Sequence, residues 1–164
     1  MLVFTVKMLI GYLIRYLETR SNLIKTFMNL IKTATLDDVK SIIEIWEEAR
    51  LTRPWNNPND DIKNALSTQT STILLLYTDK QVIGTVMVGY DGHRGWIYYL
   101  AVKEKFQKKG YGKYLVEEAE QWLKSRNVPK INLMIRTGNE AVEQFYQSCK
   151  YKESEVIVME KWLK

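Results

Sequence analysis

The stretch that most constrains the fold runs from Leu100 to Gly112 and reads LAVKEKFQKKGYG. It begins as the end of an apolar strand, continues as a lysine-rich turn and closes with two glycines, Gly110 and Gly112. A helical pattern, KYLVEEAEQWLKSR, opens directly afterwards. Backbone N–H groups at such a turn point one way, and the dipole of the new helix adds partial positive charge there. The stretch therefore predicts an anion site, which we interpret as the diphosphate site of a cofactor.

The elements around this turn predict an α/β fold with one mixed, mostly antiparallel sheet flanked by helices. From residue 30 onwards, apolar runs and apolar residues at helical spacing predict the order β-α-α-β-β-β-α-β-α-β. The predicted strands cover residues 30–34, 72–78, 82–90, 96–102, 131–136 and 153–162. Antiparallel strands followed by β-α-β are typical of helices layered on a single sheet.

Length and charge narrow the class of protein. A chain of 164 residues suits one domain with a real core. Its single cysteine, Cys149, excludes an internal disulfide, which fits a reducing, cytoplasmic location. Of the net charge of +5, residues 1–27 carry +3, so the chain lacks the broad basic face of a nucleic-acid-binding protein and we expect no nucleic-acid partner.

Residues 1–27 are predicted to be an apolar and basic extension, and residues 28–164 the functional domain. The run MLVFTVKMLIGYLIRYL is interrupted by Lys7, Gly11 and Arg15, and it falls short of the ~20 apolar residues of a spanning helix. Contact with a membrane surface, cover for an apolar patch, a partner contact and a dispensable upstream start all remain open. Assembly as a homodimer is also open.

Two residues downstream strengthen the interpretation of the glycine turn. Asn139 follows a predicted strand and begins a helix, and Tyr146 lies seven residues, or two helical turns, further along the same face. A strand, a glycine turn and these two side chains together resemble the GCN5-related N-acetyltransferase (GNAT) family. The turn QKKGYG matches the family's Q/R-x-x-G-x-G/A pattern, and NEAVEQFYQSCKY matches N-x-x-A-x-x-F-Y-x-x-x-G-F/Y, except that Lys150 replaces the usual glycine. The segments RPWNNP and GYDGHRGW resemble the bacterial YpeA-like branch.

The resemblance implies a GNAT-like fold over residues 30–164 and acetyl-CoA as the acetyl donor. It implies that the backbone of Leu100, Ala101 and Val102 holds the pantetheine arm. The remaining residues that it implies for cofactor binding are Gln107, Lys108, Lys109, Gly110, Tyr111, Gly112, Lys113 and Asn139. Glycine lets the turn approach a phosphate closely, and the lysines can meet its charge. Asn139 can bond the pantetheine or cap its helix.

For catalysis, the resemblance assigns Tyr146 as the acid that protonates the leaving sulfur. Some family members use a glutamate on the central strand as the base, but that position is Trp96 here. Asp91, His93 and a water chain are the alternatives for the base. The candidates to line the acceptor site are Arg53, Trp55, Asn56 and Tyr90, and Arg53 would suit an acidic group on the acceptor.

The leading hypothesis is therefore an acyl-CoA-dependent N-acetyltransferase that transfers acetyl directly to a primary amine of a small molecule, protein or peptide. A CoA-binding regulatory or interaction protein of the same fold is the first alternative, since the glutamate is missing. A nucleic-acid module that uses Lys103, Lys105, Lys108 and Lys109 is the second, and it predicts binding that weakens steeply with salt.

Overall fold

The computed structural model describes residues 29–78 and 81–163, and within them lie five strands and four helices. The predicted extension, residues 1–27, lies outside the described residues. The strands are β1 (Asn29–Thr33), β2 (Ser71–Thr78), β3 (Gln81–Tyr90), β4 (Gly95–Val102) and β5 (Ile131–Asn132). The helices are α1 (Val39–Glu48), α2 (Pro58–Ser67), α3 (Tyr111–Lys124) and α4 (Glu140–Ser148), with 3₁₀ turns at Leu36–Asp38 and Glu104–Phe106.

The five strands form one sheet in the order β1-β2-β3-β4-β5. The first four pair antiparallel, and β5 pairs parallel with β4 through only two residue pairs, Gly95–Ile131 and Trp96–Asn132. The predicted fold class, a mixed and mostly antiparallel sheet flanked by helices, is confirmed. None of the helices in the described part of the chain is long and apolar enough to cross a membrane.

Helices α1 and α2 cover one face of the sheet. Ile42, Ile45 and Trp46 of α1 are fully buried in a cluster with Ile73 and Leu75 of β2. Their spacing places them on one stripe of the helix, which explains why the apolar pattern predicted this element. The N-terminus of α2 is also specified locally, because Pro58 occupies its first turn and the Asn57 side chain accepts a hydrogen bond from Asn59 N at 3.0 Å.

Helix α3 packs closely on β3 and β4 at two glycines. A Cβ on Gly84 would lie 2.9 Å from Leu115 Cδ1, and a Cβ on Gly95 would lie 2.6 Å from Leu123 Cδ1. Both leucines are fully buried, so any larger residue at either glycine would push the helix away. This close packing holds the N-terminus of α3 at the end of β4.

The residues after Asn132 form a separate unit, 133–164, in which α4 is the only regular element of the described residues. The predicted strand 131–136 is too long, because only Ile131–Asn132 pairs with a neighbour. The predicted final strand 153–162 was wrong for this structure, since those residues form no strand and are exposed. Their alternating sequence satisfies the local preference of a strand, but a strand also needs a neighbour for its backbone hydrogen bonds.

Candidate active site

The glycine turn between β4 and α3 has the backbone of an anion-binding loop. After the 3₁₀ turn Glu104–Phe106, Lys108 has a φ of +58° and Gly110 a φ of +88°. Gly110 is the N-cap of α3, and a Cβ built on it would meet nothing within 4 Å. The first N–H groups of α3 have no partner inside the helix, so a phosphate can accept from them. The predicted strand, turn and helix N-terminus are therefore present in one continuous segment.

Three of the predicted side chains brace this turn from within. The Gln107 amide donates to the Val102 carbonyl at 2.9 Å, which ties the turn to the end of β4. Lys109 Nζ donates to the Lys105 carbonyl at 2.8 Å, and the Tyr111 ring packs edge-on against Phe106.

The other two lysines at the turn differ in what they contact. Lys113 faces Glu117 at 4.0 Å in an exposed pair, which contributes little to stability. Lys108 is exposed, and within the described residues its ammonium makes no hydrogen bond or ion pair. Lys108 is consequently the lysine most available to meet an external phosphate.

The edge of β4 that leads into the turn is open. Along its inner edge β4 pairs with β3, whereas its outer edge pairs with β5 only at Gly95 and Trp96. From Ile97 to Val102 that outer edge has no strand neighbour in the described part of the chain. Leu100, Ala101 and Val102 lie on this open edge, so an extended ligand could pair with them as a strand does.

A β-bulge at Tyr99 interrupts β4 just before these residues. The register shifts between Thr85 and Met87 of β3, and Tyr99 has a φ of +49°, which is rare for a residue with a side chain. Thr85 Oγ1 lies 3.3 Å from the Tyr99 carbonyl and 3.0 Å from Trp46 Nε1, and the Tyr99 ring stacks on Trp46 at 3.9 Å. Nothing in the sequence predicted this bulge.

The Tyr99 hydroxyl reaches the segment between α1 and α2. It donates to Asp61 Oδ2 at 2.6 Å and accepts from Asn56 Nδ2 at 3.2 Å. Burial raises the pKa of Tyr99, and the bond to Asp61 raises it further. Tyr99 therefore stays protonated near neutral pH and acts as a donor rather than a base.

The other residues predicted to line the acceptor site have different roles or surroundings. The Arg53 guanidinium donates to the carbonyls of Arg50 and Thr52, so it braces its own loop. Trp55 is half exposed, and Tyr90 contacts Trp122 at 6.4 Å between ring centroids. Of the four, Asn56 donates a hydrogen bond to the Tyr99 hydroxyl.

Asp91 belongs to the β3–β4 hairpin. Its carboxylate accepts from the backbone N–H of Arg94 at 2.7 Å and of His93 at 2.8 Å, and from Trp96 Nε1 at 3.0 Å. These bonds, with the one from Arg94 the largest cause, lower the pKa of Asp91 to about 2. A carboxylate of such low pKa is a poor base at neutral pH, so Asp91 serves the turn, and Trp96 holds it there.

Asn139 and Tyr146 lie in the second unit, Asn139 directly before α4 and Tyr146 within it. Asn139 precedes the helix, and its backbone carbonyl accepts from Val142 and Glu143, but its side chain makes no capping bond. Tyr146 is buried, with edge-on contacts to Phe145 and Tyr151. Burial raises the pKa of its hydroxyl well above the ordinary value, and Cys149 adds to the shift, so the hydroxyl keeps its proton.

A family model described as Acetyltransferase (GNAT) family matches residues 37–151, which include the open strand edge, the glycine turn and α4. The chain belongs to this family. An acetyltransferase of Pectobacterium atrosepticum is 39% identical over 127 residues, which are 77% of this chain and 90% of the relative. The predicted family and class of enzyme, an acyl-CoA-dependent N-acetyltransferase, are thus confirmed, and the relative is bacterial, as the resemblance implied.

Solved GNAT structures share the fold at low identity. One is an aminoglycoside acetyltransferase from an uncultured soil metagenomic sample in complex with sisomicin, with a TM-score of 0.70 at 17% identity. That comparison covers 85% of this chain and 99% of the other. AAC(6')-Iy, in complex with the bisubstrate analogue CoA-S-monomethyl-acetylneamine, has a TM-score of 0.71 at 12% identity. That comparison covers 82% of this chain and 97% of AAC(6')-Iy. Both likenesses concern the fold.

Proposed function

We propose that this GNAT protein transfers the acetyl group of acetyl-CoA directly to a primary amine within a ternary complex. The observation that carries the proposal is the open edge of β4 leading into the left-handed glycine turn at the N-terminus of α3. An extended pantetheine arm needs an unpaired strand edge, and a diphosphate needs convergent N–H groups with no side chain in the way. Both features adjoin each other along residues 97–112.

The residues of this chain fit such a donor. Leu100, Ala101 and Val102 offer backbone groups to the pantetheine amides, and residues 107–112 offer N–H groups to the diphosphate. Lys108 is the free ammonium of the turn in the described residues, and it adds a point charge. The resemblance also assigns Asn139 to the arm, and within the described residues its side chain makes no capping bond to α4. AAC(6')-Iy, which holds a CoA bisubstrate analogue in a like fold, supports this choice of cofactor.

The transfer forms one bond and breaks one bond. The amine nitrogen attacks the thioester carbonyl, the C–N bond forms, the C–S bond breaks, and CoA leaves as a thiolate that takes a proton. Acetyl-CoA supplies an activated acyl group, so the protein contributes orientation and proton transfer. Burial keeps the Tyr146 hydroxyl protonated, and we assign it as the donor of the proton that the leaving sulfur takes. Asp91 is committed to its turn, so His93 and water stay as the alternatives for removal of the amine proton.

The test separates transfer from mere cofactor binding. Isothermal titration with acetyl-CoA is expected to show one site per chain. A thiol reagent should then detect CoA release that depends on an added amine from a panel of polyamines, amino acids, aminoglycosides and peptides with free N-termini. Aminoglycosides belong in the panel because a solved protein of the same fold is an aminoglycoside acetyltransferase.

Each outcome has a distinct meaning. Binding without amine-dependent thiol release across the whole panel would contradict the transfer reaction and favour a CoA-binding regulatory protein. Absence of acetyl-CoA binding would contradict both. A sample without amine measures hydrolysis of the thioester and must be subtracted.

A further inference from the structure

Asp61 carries a carboxylate that has no role in the transfer reaction proposed above. It lies in the first turn of α2, is half buried, and accepts the Tyr99 hydroxyl on Oδ2 at 2.6 Å. Its other oxygen, Oδ1, accepts no hydrogen bond from the described residues, and no lysine or arginine nitrogen among them lies within 4.0 Å of it. Arg53, the nearby cation, is occupied with two backbone carbonyls. Within the described residues, Asp61 therefore keeps one carboxylate oxygen available as a hydrogen-bond acceptor.

Several contacts fix the position of Tyr99, so that its hydroxyl keeps its hydrogen bond to the Asp61 carboxylate. Its carbonyl is bonded by Thr85, its ring stacks on the fully buried Trp46, and Asn56 donates to its hydroxyl. The left-handed backbone of Tyr99 is unfavourable for a residue with a Cβ, and such strain is retained where the surroundings over-determine it, often at functional sites. Tyr99 also directly precedes Leu100, the first residue on the proposed pantetheine edge.

We propose that Asp61 binds the ammonium group of the acceptor amine, and that Tyr99 is the positioning residue that holds its carboxylate beside the strand edge. This inference rests on the proposed transfer reaction. Primary aliphatic amines are mostly protonated near pH 7, and an ammonium group has donors only, so it needs acceptor oxygens. The chain carries a net charge of +5, so an approaching cation requires a local negative group.

Two other side chains provide matched controls. Asp60 lies beside Asp61 in the same first turn of α2, so it has the same effect on the helix dipole but no bond to Tyr99. Tyr77 donates to Asp38 Oδ1 at 3.2 Å, which is a second tyrosine–aspartate pair against the same core cluster. D60N and Y77F thus repeat the chemistry of D61N and Y99F away from the proposed acceptor site.

The first experiment measures steady-state acetyl transfer to cadaverine, spermidine, lysine and kanamycin. D61N should raise the KM of each accepted amine about ten- to a hundredfold, the usual worth of a charged hydrogen bond, and leave the KM of acetyl-CoA within about twofold. Y99F should raise the amine KM by a smaller factor, about three- to tenfold, because the carboxylate remains but is no longer held. D60N and Y77F should behave like the wild type. Equal amine KM values for D61N and D60N would overturn the proposal.

The second experiment does not depend on turnover. n-Butylammonium chloride is titrated into the full-length protein, and the ring resonances of Tyr99, assigned by comparison with Y99F, are followed by NMR. The wild type should show a saturable shift that D61N and n-butanol do not produce. A shift that is absent in the wild type, or equal in D61N, would overturn the proposal. If the wild type acetylates no amine, the transfer reaction fails while this titration still decides whether Asp61 binds an ammonium group.

Discussion

Replacing Gly110 by alanine tests two roles of this residue: its left-handed backbone conformation, which affects stability, and its place in the proposed diphosphate site, which affects affinity for acetyl-CoA. Gly110 has a φ of +88°, and a Cβ there would meet no atom within 4 Å. Gly92, in the β3–β4 hairpin, has the same φ and the same open surroundings. G110A and G92A should therefore both lower the free energy of unfolding by about 1–2 kcal/mol, the cost of a left-handed backbone for a residue with a Cβ.

The two variants should differ in their affinity for acetyl-CoA. We place the diphosphate against this turn, so the methyl group added in G110A should crowd a phosphate oxygen away from the backbone N–H groups. A hydrogen bond to a charged group contributes about 1.5–3 kcal/mol, so each bond lost should weaken binding about ten- to a hundredfold. G92A should bind like the wild type. G110E adds bulk and negative charge and should abolish binding.

Two measurements test this reasoning. Urea unfolding gives the change in stability, and isothermal titration of acetyl-CoA gives the change in affinity at a temperature where both variants are folded. Equal affinities for G110A and G92A would refute the diphosphate site at this turn. A stability loss confined to one of the two variants would show that the open surroundings of the two glycines are not equivalent.

Three further predictions concern other parts of the molecule. Y146F should lower kcat for acetyl transfer more than it changes the KM of acetyl-CoA, because it removes the protonated hydroxyl that we assign as donor to the leaving sulfur, and an unchanged kcat would exclude that role. T85V leaves the buried Trp46 indole N–H without its acceptor and should lower the free energy of unfolding by about 1–3 kcal/mol in urea, with less than additive loss in combination with W46F. D91A should lower the Tm at pH 7, and because the pKa of folded Asp91 is depressed to about 2, the difference from the wild type should shrink as the pH falls from about 4 through 2. A difference that is constant with pH would show that the Asp91 charge does not stabilise the hairpin.

Most of the fold could be predicted from the sequence because its elements are specified locally. The capping box at Thr35 illustrates this, since Thr35 N donates to Asp38 Oδ2 at 2.8 Å as the three-residue spacing predicts. The apolar stripe of α1, the asparagine that caps α2 and the proline in its first turn likewise act over a few residues. The predicted strand 153–162 shows the limit, because a strand depends on a partner that its own sequence does not contain.

In the candidate site, too, some residues were predicted from local sequence patterns, whereas the contacts of others were visible only in the structure. Asn139 and the turn Gln107–Gly112 were identified by residue type and spacing, and their roles toward acetyl-CoA stay predictions. Asp91 was a candidate base until its three donors were visible. Arg53 was expected to meet an acidic group, but its guanidinium is bonded to its own loop.

The sequence by itself determined the family and the turn that leads into α3, because a glycine with positive φ and a helix N-terminus are properties of a few consecutive residues. Only the tertiary structure brought together the residues that we propose for the acceptor side. Trp46 reaches Thr85 across 39 residues of sequence, and Tyr99 reaches Asp61 across 38. Such contacts depend on sheet register, a bulge and helix packing together, so no single segment encodes them.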